Sequence, residues 1–486
     1  MNYSMIKRVL GWILLFEAVF LLVPAITALC FRETEINAIL ISVGICAVAG
    51  GVLLIGKPKS DAIYSKEGFV IVALSWVVMS LFGALPFWIS GAIPSYVDAL
   101  FETVSGFTTT GATILPTAEV VDNFPKSLHM WRCFTHWIGG MGVLVFIMVF
   151  LQLSGGGHSM NLLKAESPGP SVGKLLPKMR TTTRILYLIY TGLTVAEFVL
   201  LLFGDMSVFE AACTAFGTAG TGGFATRGDG FASYSSYTQI VVMVFMLLFS
   251  INFTSYYLIL CKKFKDAFTS EVKTFLIIVA VSIVAITFNV YFTASTLYEF
   301  TFGETLKHAA FSAASIISTT GFATADFNVW PAFSKSILVI LMFIGACAGS
   351  TGGGMKVSRM MILCKGTSQE MKRMLHPKQV KKITMDGHVV EHEVVRGVNT
   401  FVVAYVLIYI VSLLIVSLDC SSIVSNFTAV AATINNIGPG LEMVGPSGNF
   451  AFYSWWAKLV FIFDMLAGRL EVFPMLLLFA PSTWRK

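Results

Sequence analysis

The chain has 486 residues, of which 56% are hydrophobic and 12% charged, where a soluble domain carries about one quarter charged residues. That deficit excludes an ordinary soluble enzyme, while 41 Phe, 41 Gly and 15 Pro exclude collagen-like, low-complexity and disordered chains. The net charge of +6 raises nucleic-acid binding, but the positions of the cations assign them to one side of a membrane instead.

A helix crossing the hydrocarbon needs about 20 mostly apolar residues. In chain order such stretches lie near 9–30, 36–56, 69–89, 133–153, 185–204, 238–260, 274–294, 335–363, 399–418 and 453–481, predicting ten spans. Lys7 and Arg8 ahead of the first stretch give it the look of a secretory signal, but the run is too long for one and reads as a span. Basic residues follow every second span: Lys57, Lys59 and Lys66; Lys164, Lys174, Lys178, Arg180 and Arg184; Lys262, Lys263, Lys265 and Lys273; then the run from Lys356 to Arg396. With both termini, 25 of the 33 Lys and Arg fall on one side. The positive-inside rule places that side, and both termini, in the cytoplasm. The eight cysteines stand singly, mostly within apolar stretches, and read as buried thiols.

On the opposite side four long connections repeat one pattern, a short apolar stretch, then Thr and Gly, then a polar return. They are VDALFETVSGFTTTGATIL (97–115), SVFEAACTAFGTAGTGGFATR (207–227), LKHAAFSAASIISTTGFATADF (306–327) and SIVSNFTAVAATINNIGPGLEMV (422–444). Taking Gly111, Gly222, Gly321 and Gly438 as equivalent gives spacings of 111, 99 and 117 residues, the mark of duplicated units. Each unit is predicted to be span, re-entrant half-helix, span, because the apolar part is too short to cross. Non-helical backbone at membrane depth survives only where it is buried in protein or lines a water path. Four such segments facing one axis satisfy that condition. The turns are Thr109-Thr110-Gly111, Gly220-Thr221-Gly222, Thr319-Thr320-Gly321 and Asn436-Ile437-Gly438, and a ring of their carbonyls can replace the hydration shell of a bare monovalent cation. The half-helices aim their negative C-terminal ends at the same place.

Two later features suggest a gate. The eighth span is interrupted by Gly345, Gly349, Gly352, Gly353 and Gly354, either as a loop across the path or as a close helix contact. Arg469 sits within the last span, where a charge needs a partner or water. Asp464 and Glu471 are its neighbours, but neither is at ideal spacing. Arg469 reads as an electrostatic barrier below the filter, or else as half of a structural ion pair.

With GACAGSTGGGMKVSR (345–359) and AGRLEVFP (467–474) added to the four turn motifs, essentially the whole chain resembles the Trk/Ktr/HKT superfamily of potassium transporters, in its TrkH/TrkG branch. The resemblance implies potassium uptake across a bacterial inner (plasma) membrane, an intramembrane gating loop in the eighth span, two extra N-terminal spans, a homodimer, and association with a cytoplasmic ring of RCK-type, nucleotide-binding regulatory subunits (TrkA-like). It also implies potassium preference, since all four glycines are present, although Asn436 and Ile437 depart from a Thr-Gly turn. The resulting division is 1–60, the extra helices; 61–160, 161–265 and 266–375, the first three repeats with the gating loop in the third; and 376–486, a cytoplasmic hairpin and the fourth repeat.

Other motifs are set aside. In GSTGGGMKVS, Met355 separates Gly354 from Lys356, so no phosphate-binding loop is formed. His388, Glu391 and His392 fit H-x-x-E-H, but β-branched residues alternate around Asp386-Gly387, the signal of a hairpin. On a strand the two histidines stand about 13 Å apart, too far to share a metal. His129 and His136 read as interfacial or core residues. The hairpin and its basic lead, Lys372 to Lys382, offer a docking surface for a regulatory partner or for anionic lipid. No cofactor, transition metal, nucleic-acid partner or catalytic set is expected, and the transported ion is K⁺.

Overall fold

The computed structural model describes residues 1–56, 64–142, 179–294, 301–377, 382–419 and 421–484. The expected fourth-span tail (143–153), Cys420 and the basic residues Lys57, Lys59, Lys164, Lys174, Lys178, Lys378, Lys381, Arg485 and Lys486 lie outside them.

Six described helices are long and apolar enough to cross a membrane, and a seventh span is counted if a pair bent by 92° is taken as one. The first runs Tyr3–Phe31 and the second Ile36–Leu54. Four repeats follow. Their entering helices are Ser65–Gly83, Met179–Leu201, Ser270–Ala294 and His392–Val416. Ile277, Val281, Val284 and Phe288 form an exposed stripe on the third of these, while Phe275, Val279, Ile286 and Val290 of the same helix are buried. That is the pattern of a helix with one face in lipid and one on protein.

Each entering helix is followed by a half-helix: Tyr96–Phe107, Val208–Gly220, Phe302–Ile317 and Ile423–Ile434. A Ser or Thr caps each one. Ser95 and Ser422 accept backbone N–H groups of the first turn, and Ser207 and Thr301 form capping boxes with Glu210 and Glu304. Such caps satisfy the orphan donors of a helix start. They fix where each re-entrant segment begins.

Of the four returning helices, the second and the fourth correct the expectation of continuous spans, and the third breaks where its glycines predict. The first, Lys126–Gly140, is described to Gly142. The second breaks into Ser236–Phe249 and Phe253–Leu260, and the third into Ala332–Ile344 and Val357–Leu375 around the predicted glycine loop. The fourth breaks into Trp455–Arg469 and Phe473–Phe479, where Glu471 (φ 55°) and Val472 (φ 70°) leave the helical region. Only the third break carries glycines enough to be seen in sequence. The second rests on Asn252, whose side chain caps the new helix at Thr254 N.

The structure pairs Thr384–Met385 with His388–Val389 across Asp386-Gly387, with His388 in one strand and His392 opening the next helix. Among the described residues no group of His, Cys, Asp and Glu is arranged to hold a metal ion. Cys46, Cys133, Cys213 and Cys347 are buried, whereas Cys30, Cys261 and Cys364 are exposed, which corrects the reading of them as buried thiols.

Candidate functional site

All four half-helices end in one motif. The N–H groups of Thr110, Gly222, Thr320 and Ile437 donate to the carbonyls of Ser105, Gly217, Ser315 and Ala432, each at 2.8–2.9 Å. This is the six-to-one bond of a Schellman ending, which requires a left-handed residue just before the donor. That residue is Thr109 (φ 55°), Thr221 (φ 56°), Thr319 (φ 60°) or Asn436 (φ 54°). A β-branched residue there is a genuine outlier, costing about 1–2 kcal/mol. The same strain recurs at the same place in three repeats, with Asn in the fourth.

The bonding register corrects one equivalence. Gly111, Gly321 and Gly438 match Gly223 (φ 82°), not Gly222, and Gly220 ends its half-helix as Thr108, Ser318 and Asn435 end or follow theirs. Two adjacent glycines hid the shift, because the Thr-Gly pair at 221–222 looked like the pairs at 110–111 and 320–321.

The four turns close into a ring. A Cβ built on Gly111 would run into the carbonyl oxygen of Gly222, one on Gly223 into that of Thr320, and one on Gly321 into that of Ile437. A Cβ on Gly438 would lie 2.7 Å from that of Thr110. Each glycine thus faces a carbonyl of the next repeat, in the order one, two, three, four, one. Above the ring lies a cavity of about 270 Å³, lined by the return strands of all four repeats, Thr113, Phe224, Thr324 and Pro439 among them.

Side chains of the returning helices hold the ring. His136 Nδ1 meets Gly106 O at 2.8 Å, and its Nε2 accepts from Phe224 N at 3.3 Å. With an acceptor at Nδ1 and a donor at Nε2, the ring is the neutral Nδ1–H tautomer. It bridges the first two turns, a role the sequence did not signal. Arg132 is 3% exposed and pairs with Glu102, which is 1% exposed, at 2.7 Å. Glu102 also accepts from Ile114 N (2.9 Å), and Arg132 stacks 4.1 Å from the Phe224 ring centre. The sign that marks Arg469 in the sequence, an ionisable residue inside an apolar segment, marks Arg132 and Glu102 as well. Asn436 donates to Thr110 Oγ1 (3.0 Å) and Met465 O (2.9 Å), joining the fourth turn to the first.

Beneath the ring lies the loop 345–356. Gly345, Gly349 and Gly354 have φ of 71–74°, while Gly352 and Gly353 pack against the backbone of Ser318 and Asn435, leaving no room for a side chain. Gly353 N donates to Thr319 Oγ1 at 2.6 Å. The loop also bonds to the break of the second returning helix, with Phe253 N on Gly349 O (3.0 Å) and Cys347 N on Ser250 O (3.1 Å). Arg469 is half-buried and reaches this loop. Its guanidinium donates to Thr351 O (2.8 Å), Gly140 O (3.0 Å) and Gly139 O. Of the two acidic neighbours, Asp464 accepts from Ser412 (2.6 Å), and Glu471 pairs with Arg359.

A ring of four re-entrant turns among apolar spanning helices defines a class of protein: a polytopic transporter built on four repeats around a pseudo-fourfold pore. Residues 35–486 match the family model described as TrkH, cation transport protein. The chain is 34% identical to the Trk system potassium uptake protein TrkH of Salmonella typhimurium, covering 100% of both, and 30% identical to TrkG of Escherichia coli, covering 100% of this chain and 99% of that one. The crystal structure of the potassium transporter TrkH from Vibrio parahaemolyticus superposes with a TM-score of 0.88 at 32% identity, covering 100% of both chains. The chain belongs to the TrkH family of cation transport proteins.

Proposed function

We propose that this chain takes up potassium across the inner membrane of a bacterium as the ion-conducting subunit of a Trk-type system. The observation that carries the reading is the closed ring of four Schellman turns. Its filter is the set Thr109, Thr110, Gly111, Thr221, Gly222, Gly223, Thr319, Thr320, Gly321, Asn436, Ile437 and Gly438, with Gly220 at its edge. Backbone carbonyls coordinate the bare cation there, and the four half-helix C-termini favour its charge. No step requires a catalytic group or a cofactor in this chain, so the reading is transport and not enzymology. Both termini lie in the cytoplasm, where most of the Lys and Arg gather. Family membership supports a homodimer working with RCK-type regulatory subunits.

The loop at Gly345, Gly349, Gly352, Gly353 and Gly354 is the gate, and Arg469 is its clasp as well as a positive barrier, since it holds the loop to the end of the first returning helix. Purified protein in liposomes should pass K⁺ and Rb⁺ well above Na⁺ and Li⁺ under a voltage, with no co-ion. Arg469→Ala should raise resting Rb⁺ flux several-fold. Absence of bare-cation flux from both proteins would move the reading to a coupled solute symporter.

A further inference from the structure

One carboxylate fastens both ends of the intramembrane loop. Glu271, the second residue of the third entering helix, is 6% exposed. Its Oε1 accepts from Ala348 N at 2.7 Å and from Ser358 N at 3.1 Å. Ala348 lies in a turn in the first half of the loop, and Ser358 is the second residue of the helix that leaves it. The Ser358 amide is one of the orphan donors of a helix start, and a carboxylate is favoured there by the helix dipole. A single oxygen therefore clamps the entry and the exit of the loop to a third, rigid helix.

The neighbour of Glu271 connects this clamp to the hairpin. Ser270 donates from both its N–H and its Oγ to Asp386 Oδ1, each at 2.7 Å. Asp386 is the first of the two turn residues of the hairpin, with φ of 49°. The other leg of the hairpin is held by Lys365, whose Nζ donates to Thr384 O at 2.8 Å. Lys365 lies about two turns into the helix that leaves the loop. The hairpin thus bridges the two helices whose juxtaposition Glu271 maintains, and it does so farther from the ring than Glu271.

We propose that Glu271 is the latch of the intramembrane loop and that the hairpin is its lever. Displacing the hairpin separates Ser270 from Lys365, and with them the two helices that keep Ala348 and Ser358 on one carboxylate. The inference rests on the reading of the loop as a gate. Glu271 touches no permeating ion, so it is a positioning residue, and its loss must change how often the path is open without changing which ion passes.

The test is Rb⁺ flux and the K⁺/Na⁺ permeability ratio in proteoliposomes of the full chain, with the unfolding temperature in detergent as the check on folding. Glu271→Ala is expected to raise flux at least about tenfold, the effect on an equilibrium of losing even one of its two charge-assisted bonds, with the ratio unchanged. Glu271→Gln, whose amide oxygen still accepts but without charge, should raise it less, and it carries the test if the Ala variant does not fold. Asp386→Ala should raise flux modestly, and the double variant Glu271→Ala with Asp386→Ala should match Glu271→Ala alone. A well-folded Glu271→Gln with wild-type flux, or a ratio that falls with the flux change, overturns the latch. Multiplying effects in the double variant overturn the lever. Arg469→Ala separates the two levels of the argument: if it raises flux and the Glu271 variants do not, the latch fails alone, and if none of them raises flux the gate reading has failed.

Discussion

A left-handed threonine is a poor choice unless something holds it, and this chain makes the choice at Thr109, Thr221 and Thr319. The glycine two residues later removes the only side chain that would keep the neighbouring repeat away. Gly223→Ala is therefore expected to damage the ring as Gly111→Ala does, because a Cβ at either position meets a carbonyl of the next repeat and φ is near 80°. The measurable result is a fall in the K⁺/Na⁺ permeability ratio of folded protein. Gly192 is the matched control. Nothing lies within 4 Å of a Cβ built there, so Gly192→Ala, in the interior of the second entering helix, should leave the ratio intact and stabilise by about 0.5–1 kcal/mol. An intact ratio in Gly223→Ala would return the equivalence to Gly222. The six glycines between 217 and 230 explain why sequence alone places this turn one residue early: spacing cannot rank adjacent glycines, whereas the six-to-one hydrogen bond can.

Among the elements, the half-helices were legible and the returning helices were not. Ser95, Ser207, Thr301 and Ser422 punctuate the former at their starts, and Thr-Gly or Asn-Ile-Gly ends them, so local chemistry marks both boundaries. The breaks at 250–252 and 470–472 lie inside apolar runs, and only tertiary contacts reveal them: Asn252 under Gly349, and Glu471 against Arg359. Arg132 and Glu102 each stand out as a charge in an apolar stretch, but their pairing is silent in sequence, since they are 30 residues apart on different elements. It joins the first half-helix to the first returning helix in a buried site, where removing one partner strands the other charge. Glu102→Ala should destabilise by about 3–5 kcal/mol, read as a lowered unfolding temperature in detergent. Replacing both with apolar residues of similar volume should cost far less. Equal losses in the single and double variants would show that the pair contributes shape and not charge compensation.

In the whole molecule the ring follows chain order and is closed by its first and last members. The fourth repeat supplies Asn436, which bonds to Thr110 across 326 residues, and Arg469, which reaches both the loop and the first returning helix. A chain ending at residue 390 should therefore give no cooperative thermal transition and no Rb⁺ flux, although it retains three of the four turns; a folded, conducting product would contradict the closed-ring reading. The same wiring puts a clock on biosynthesis. At about 5–20 residues per second the ribosome delivers Asn436 about 16 to 65 s after Thr110. By the end of that interval three strained turns stand in the bilayer with nothing from the fourth repeat to close them, and a strained backbone persists only when its surroundings over-determine it. A prematurely ended chain thus leaves the ring without the member that closes it, because the order in which the repeats are written puts the closing residues last.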